Sequence, residues 1–441
     1  MRKHKGKIMC LVLLLLLFFT LPGCSGKEEK TKQGLTEKII AEDIQPGNLF
    51  VIKTEKGYYY YKYAQEVPAF CYVDVATGKE IYLCNKPECK HDGNSFCIAS
   101  NKRYKIDQFC LYSGRIFATA VEETDTQYLW KLLAIALDGS EMSEIATYMT
   151  MDKAAEEKEG QKPMLYGGWL PIHRNKVFIS IKTNDKWDLD DTAQYGTAIL
   201  DLDTRKASYL DEEPLSRNNI PVSGIRAYGD YIYYCRREGR KTVLHQYCVK
   251  DGTEESCKLQ PGFLGVYLIL DEDNIMYKRS EGNTLYLYHP STGGTEEAKK
   301  LPDVTLQFPD GYTLPISFDI AALMTDGTYI YAIQQSVDML ETDEESPKEN
   351  QQPVSKERNI YVMDRDLKEV AMVNVGPLFP EGLDDSMLYS SRLGNWSFLG
   401  EEIYALLYEN TKEGQTSMIY KCNRSDLLEG KPEFKFIYKK Q

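Results

Sequence analysis

Residues 229–254 read GDYIYYCRREGRKTVLHQYCVKDGTE. Tyr231 to Cys235 is a run of β-formers, and Glu238 and Gly239 are expected to break it. Val243 to Val249 predicts a second strand. It closes on Asp251-Gly252, a tight-turn dipeptide because glycine tolerates positive φ. The stretch therefore predicts strand, turn, strand, turn.

Two marks of this pattern recur along the chain. The first is a turn residue followed by a short Tyr- or Ile-rich strand. It appears at Gly57–Tyr61, Gly114–Phe117, Asn175–Ile179, Gly229–Tyr233, Asp273–Tyr277, Gly327–Tyr331 and Gly400–Tyr404. The second is a later strand ending in a turn. It appears at Cys71–Gly78, Leu132–Gly139, Thr197–Thr204, His245–Gly252, Leu285–Gly293, Asn359–Asp366 and Met418–Ser425. A third strand often follows, as at Lys79–Cys84 and Glu369–Val375. Units of roughly 45 to 70 residues with three or four short strands fit propeller blades. One four-stranded sheet cannot bury both faces alone, so the units must stack as a set. The expectation is an all-β chain whose residues 48–441 form a β-propeller, with seven blades of about four antiparallel strands. A β-sandwich array is the competing architecture, and it would not repeat in one register.

The 441 residues are 42% hydrophobic and include 32 Tyr, ample for a large core. Tyr suits half-buried strands, since its ring packs while its hydroxyl stays wet. The net charge is −13. Without the basic Arg2, Lys3, Lys5 and Lys7, the body has 49 basic against 66 acidic residues. Such an acidic body argues against nucleic acid and anionic membrane surfaces as partners.

Those four basic residues precede an apolar run from Cys10 to Thr20, too short to span a bilayer comfortably. Leu21-Pro22-Gly23-Cys24 follows and resembles a bacterial lipobox. The resemblance implies a signal peptide over residues 1–23, cleavage before Cys24 and a diacylglycerol on the Cys24 sulfur. Residues 24–47 are polar and read as a tether. The expected address is the outer side of the cell membrane, reached through the lipid on Cys24.

The Tyr-Ile-Tyr strands and Asp-Gly turns resemble receptor-type (YWTD-like) β-propellers, in the version found in uncharacterised Gram-positive lipoproteins. The resemblance covers roughly residues 48–440. The Trp-Thr-Asp portion of the receptor motif is missing, so calcium-supported and ligand-docking features of the receptors do not carry over.

Residues 84–97, CNKPECKHDGNSFC, bring Cys84, Cys89, His91 and Cys97 within fourteen positions. Three sulfurs and an imidazole can complete a tetrahedral Zn²⁺ shell. The spacing is not that of a zinc finger. Outside the cell the same thiols commonly pair as disulfides, with Cys71 or Cys110 as further partners. The cluster is thus disulfide-bonded, metal-bound or a set of free buried thiols. It resembles one in the same lipoproteins, which implies a structural feature and no task. Cys235, Cys248 and Cys257 are close enough along the chain to cross-link, but strand cysteines more often fill core space.

His173, His245 and His289 stand in no catalytic array, and no GxSxG elbow or phosphate loop appears. The clusters at Asp188–Asp191, Asp271–Asp273 and Asp384–Asp385 offer oxygen ligands for Ca²⁺ but match no known loop. No cofactor is expected beyond Zn²⁺ at the Cys/His cluster. The expected function is a non-catalytic surface propeller that binds an extracellular protein, peptide or glycan. The alternative is an extracytoplasmic polysaccharide or peptide hydrolase or lyase with carboxylates on one propeller face.

Overall fold

The structure is a computed structural model. It describes residues 51–437 apart from 63–67, 95, 155–162, 166–169, 184–193, 213–222, 239–240, 280–282, 303, 308–312, 317–318, 336–358, 375–395 and 412–413. Cys24, the segments read as signal and tether, Asp188–Asp191 and Asp384–Asp385 lie outside the described residues. So do two charged stretches that interrupt the repeats: all of 341–357 (ETDEESPKENQQPVSKE) and most of 153–162 (KAAEEKEGQK).

Among the described residues the chain forms seven antiparallel blades of four consecutive strands, one of which carries a fifth strand. Blade 1 is Val51–Lys53, Gly57–Lys62, Ala69–Asp74 and Glu80–Tyr82. Blade 2 is Tyr104–Tyr112, Arg115–Glu123, Gln127–Ala136 and Met142–Asp152. Blade 3 is Ile172–His173, Lys176–Thr183, Gln194–Asp201 and Ala207–Tyr209, with Pro163–Leu165 added beside its second strand. Blade 4 is Ser223–Tyr228, Tyr231–Glu238, Lys241–Cys248 and Glu254–Ser256. Blade 5 is Phe263–Asp271, Asn274–Arg279, Thr284–His289 and Gly294–Lys300. Blade 6 is Asp319–Thr325, Ile330–Gln335, Asn359–Met363 and Glu369–Asn374. Blade 7 is Trp396–Leu399, Glu402–Thr411, Gly414–Asn423 and Lys435–Phe436. The first sequence mark falls at the second strand of every blade, and the second mark at the third strand.

The quoted stretch is the central hairpin of blade 4. Glu238 does not break its strand: it pairs with Lys241, and the register runs unbroken to Tyr231 opposite Cys248. Side chains along a strand alternate between faces. Here both faces are buried, against different neighbours. Ile232 and Tyr234 pack on Phe178 and Ile199 of blade 3. Tyr233 and Cys235 pack on Tyr267, Ile269 and Tyr277 of blade 5. Outer strands lack a second neighbour, and Glu254–Ser256 is exposed throughout.

The same division of faces makes every interface of the ring. Blades 1 and 2 meet through Tyr59, Tyr61, Phe70, Phe109 and Ile116. Trp130 and Leu132 of blade 2 meet Val177 and Leu200 of blade 3. Leu268 and Met276 of blade 5 meet Leu323 and Ile330 of blade 6. Tyr331 of blade 6 stacks on Phe398 of blade 7 at 3.9 Å. Val51, Tyr58 and Cys71 of blade 1 meet Tyr404 and Ile419 of blade 7. Among the described residues no strand is exchanged between first and last blades, so side chains close the ring.

Candidate metal centre and binding cleft

The chain leaves blade 1 at Tyr82 on the rim and must reach the inner strand of blade 2 at Tyr104. The connecting segment carries the cysteine cluster. Hydrogen bonds from Leu83 N to Phe70 O, Phe70 N to Ala99 O and Asn85 N to Gly139 O fasten it to both blades. His91 (φ 53°) and Gly93 (φ 84°) turn the chain back on itself. As a result the ligand atoms of Cys84, Cys89, His91 and Cys97 all lie within 4.8 Å of one another. His91 Nδ1 is 3.5 Å from Cys97 Sγ. Tyr82 stacks on the imidazole at 4.6 Å and orients it.

The sulfurs also collect donors. Ser100 donates to Cys97 Sγ from its backbone N–H (3.2 Å) and its Oγ–H (3.1 Å). Cys84 receives the amides of Ile98 and Lys86, and Cys89 that of His91. Burial pushes the Cys84 thiol up, but these amides and the neighbouring Cys89 and Cys97 outweigh it, and the net shift is downward. Burial, together with Cys97 and Cys84, pushes Cys89 up to about 11. The cysteines inside the blades differ. Burial pushes Cys71, Cys257 and Cys422 up to about 12, as for small protonated core fillers. No disulfide joins any of the nine described cysteines, and Cys235 faces Leu244 across its hairpin rather than another cysteine.

Beyond this segment lies an open cleft of about 370 Å³, lined by Asn101, Arg103, Tyr104, Met142 and Glu144. A charge network walls it. Arg103 pairs with Glu122 and, at 3.1 Å, with Glu144. Lys131 bridges Glu122 (2.5 Å) and Glu144 (2.6 Å), and the Tyr104 hydroxyl donates to Glu144. Burial raises the two carboxyls, but Arg103 and Lys131 at Glu122, and Lys131 and Tyr104 at Glu144, outweigh it and hold both below their ordinary range. This network is not legible in the sequence, because its members are spread from Arg103, in the turn before blade 2, over all four of that blade's strands to Glu144.

The described histidines are bonded into the fold. His173 Nε2 lies 2.7 Å from Gly229 O of the next blade. His289 Nδ1 is 3.0 Å from Asp273 O. His245 is buried between Glu254 (2.9 Å) and Glu238 (3.1 Å) and stacks on Tyr234. The Asp271–Asp273 group serves turns: Asp271 caps Asp273 N–H and Asn274, and Asp273 caps Ser291 N–H.

No family model and no curated relative matches the chain. Solved structures do. An oligogalacturonate lyase from Vibrio parahaemolyticus is similar over 89% of this chain and 93% of its own, with TM-score 0.50 and 11% identity. The acylaminoacyl peptidase of Pyrococcus horikoshii aligns over 92% of this chain but 54% of its own, with TM-score 0.45 and 10% identity. The β-propeller domain of the Trilobed protease from Pyrococcus furiosus covers 77% and 84%, with TM-score 0.38 and 11% identity. At these identities the likeness is one of fold, the β-propeller.

Proposed function

We propose that this chain is a lipid-anchored, extracytoplasmic propeller of the kind found in Gram-positive lipoproteins, and that it binds a protein, peptide or glycan without transforming it. The observation that carries the reading is the cleft between Asn101, Arg103, Tyr104, Met142 and Glu144. A guanidinium, a phenol and a carboxylate around one opening suit a polar ligand with donors and acceptors on the same face. The histidines support the reading, since each described one already serves a strand, a turn or a neighbouring sulfur.

The test is titration of the whole mature chain with peptides, cell-wall fragments and glycans, acidic oligosaccharides first because of the fold shared with a lyase. Saturable binding that Arg103→Ala weakens at least about 10-fold, with an unchanged melting profile, is the expected result. Steady turnover of any probe instead would establish the hydrolase or lyase alternative. The tether has its own arm: Cys24→Ser should move the chain from the membrane fraction to the medium.

A further inference from the structure

We propose that Cys84, Cys89, His91 and Cys97 hold a single Zn²⁺ ion in a closed tetrahedral shell that fastens the crossover from blade 1 to blade 2. The inference stands apart from the binding reading and does not depend on it.

The distances fit one ion. Zinc bonds of about 2.3 Å to sulfur and about 2.0 Å to nitrogen give tetrahedral edges of about 3.8 Å between sulfurs and about 3.5 Å from nitrogen to sulfur. The His91 Nδ1 to Cys97 Sγ separation is 3.5 Å, and all four ligand atoms lie within 4.8 Å of one another. A two-iron cluster would hold its ligand pairs farther apart. Three thiolates and an imidazole in a tetrahedron are a soft donor set that suits Zn²⁺, and four protein ligands leave no position for water or substrate. The centre is therefore structural.

The donors around the sulfurs favour the same reading over a disulfide. Ser100 alone gives two hydrogen bonds to Cys97 Sγ, from N–H and Oγ–H. Such donors spread the charge of a metal-bound thiolate and fix its direction. A disulfide would join two of the three sulfurs and leave the third, with the imidazole, aimed at the bond. Zinc instead uses all four groups. The thiol protons leave to solvent, and two positive charges against three thiolates leave a net −1 in a segment that also carries Lys86, Lys90 and Lys102.

The position explains the need. The crossover runs from rim to inner strand with a small core of its own: Phe96 is exposed, and among the described residues Leu83, Cys97, Ile98, Ala99 and Ser100 provide its buried side chains. A metal tie closes a short loop and supplies the stability that a core this small lacks.

Elemental analysis and native mass spectrometry of the full chain should find one zinc per molecule, with all nine body cysteines reduced. A chelator should lower the melting temperature, and added Zn²⁺ should restore it. Ser100→Ala removes a donor to Cys97 but no ligand, and should weaken zinc affinity about 10-fold without unfolding the chain. Replacement by Co²⁺ should give the visible absorption of a tetrahedral thiolate site, a readout free of any mutant's folding. An intact mass two hydrogens lower per bridge and no bound metal overturns the proposal. So does reduced, metal-free protein whose melting neither chelator nor Zn²⁺ changes, or stoichiometric iron in place of zinc.

Discussion

Asp107 lies in the inner strand of blade 2, where the register slips between Ile106 and Phe109. One of its carboxylate oxygens is shielded from solvent. Burial raises its pKa to about 6, against a smaller pull downward from Gln108. In an unfolded chain the group titrates near pH 4. The folded protein therefore holds the proton more tightly, and the native state gains relative to the unfolded one only at low pH. That gain is full below about pH 4 and is lost as pH rises through about 6. Asp107→Asn keeps the shape and removes the charge. It should stabilise the protein by about 2 kcal/mol at pH 7.5 and change little at pH 4, read from urea melts at the two pH values. Destabilisation at pH 7.5 would mean that the hydrogen bonds of the carboxylate outweigh the cost of its burial, and the argument would fail. Nothing in Lys105-Ile106-Asp107-Gln108-Phe109 announces this, because a register slip depends on the partner strand. The cysteine cluster was readable at the same scale for the opposite reason. Its four ligands sit within fourteen positions, and only their mutual geometry had to come from the fold.

At the scale of elements, the hairpin turns carry most of what the sequence could say. Gly139 ends the third strand's turn in blade 2 at φ 67°. A Cβ there would stand 2.8 to 2.9 Å from backbone atoms of Leu83 and Cys84, where the chain leaves blade 1. Gly229 has nearly the same backbone (φ 60°), yet its Cβ would meet nothing within 4 Å. Gly229→Ala should thus cost about 1 kcal/mol, the left-handed strain alone. Gly139→Ala adds a collision with backbone that cannot rotate away, and should cost about 2 to 3 kcal/mol in denaturant melts. Equal losses would show that the approach of blade 2 to the crossover is softer than drawn. These turns explain why second and third strands were legible: each starts or ends at a Gly, Asn or Asp, and the strands between are dense in Tyr and Ile. Inner strands share the turn at their far end with the second strand, but their lengths are irregular, from two residues in Ile172–His173 to nine in Tyr104–Tyr112. The two-stranded ribbon of Val304–Gln307 and Thr313–Ile316 between blades 5 and 6 had no repeat to mark it.

For the whole molecule, the seam between blades 7 and 1 differs from the other six interfaces. Those six join blades that follow one another along the chain. This one joins residues more than 300 positions apart, so its closure must outweigh the ordering of the entire ring. Beside the apolar contact of Val51 and Tyr58 with Tyr404 and Ile419 stands one carboxylate, Glu402. Lys53 reaches it at 2.6 Å and Lys421 at 2.9 Å, and the Tyr58 hydroxyl donates at 3.2 Å. Lys421 also donates to the Tyr58 oxygen at 2.7 Å and lies over its ring at 4.9 Å. Burial pushes the Glu402 carboxyl up, but Lys53, Tyr404 and Lys421 outweigh it and hold the pKa at about 2. The unfolded chain titrates near 4.3. The contribution is therefore complete above about pH 4.5 and is lost as pH falls towards 2. Its size is about 2 kcal/mol after allowing for partial exposure to solvent. Glu402→Gln should lower stability by about that much at pH 7 and flatten the acid limb of the stability profile. Hydrogen exchange should rise first in strands Val51–Lys53 and Glu402–Thr411, the two sides of the seam. A matching loss in Asp326→Asn, which breaks the 2.8 Å bridge to Arg424 between blades 6 and 7, should instead raise exchange there and leave the seam protected. If Glu402→Gln raised exchange evenly round the ring, the closure would be shared by all interfaces, and this seam would hold no special place.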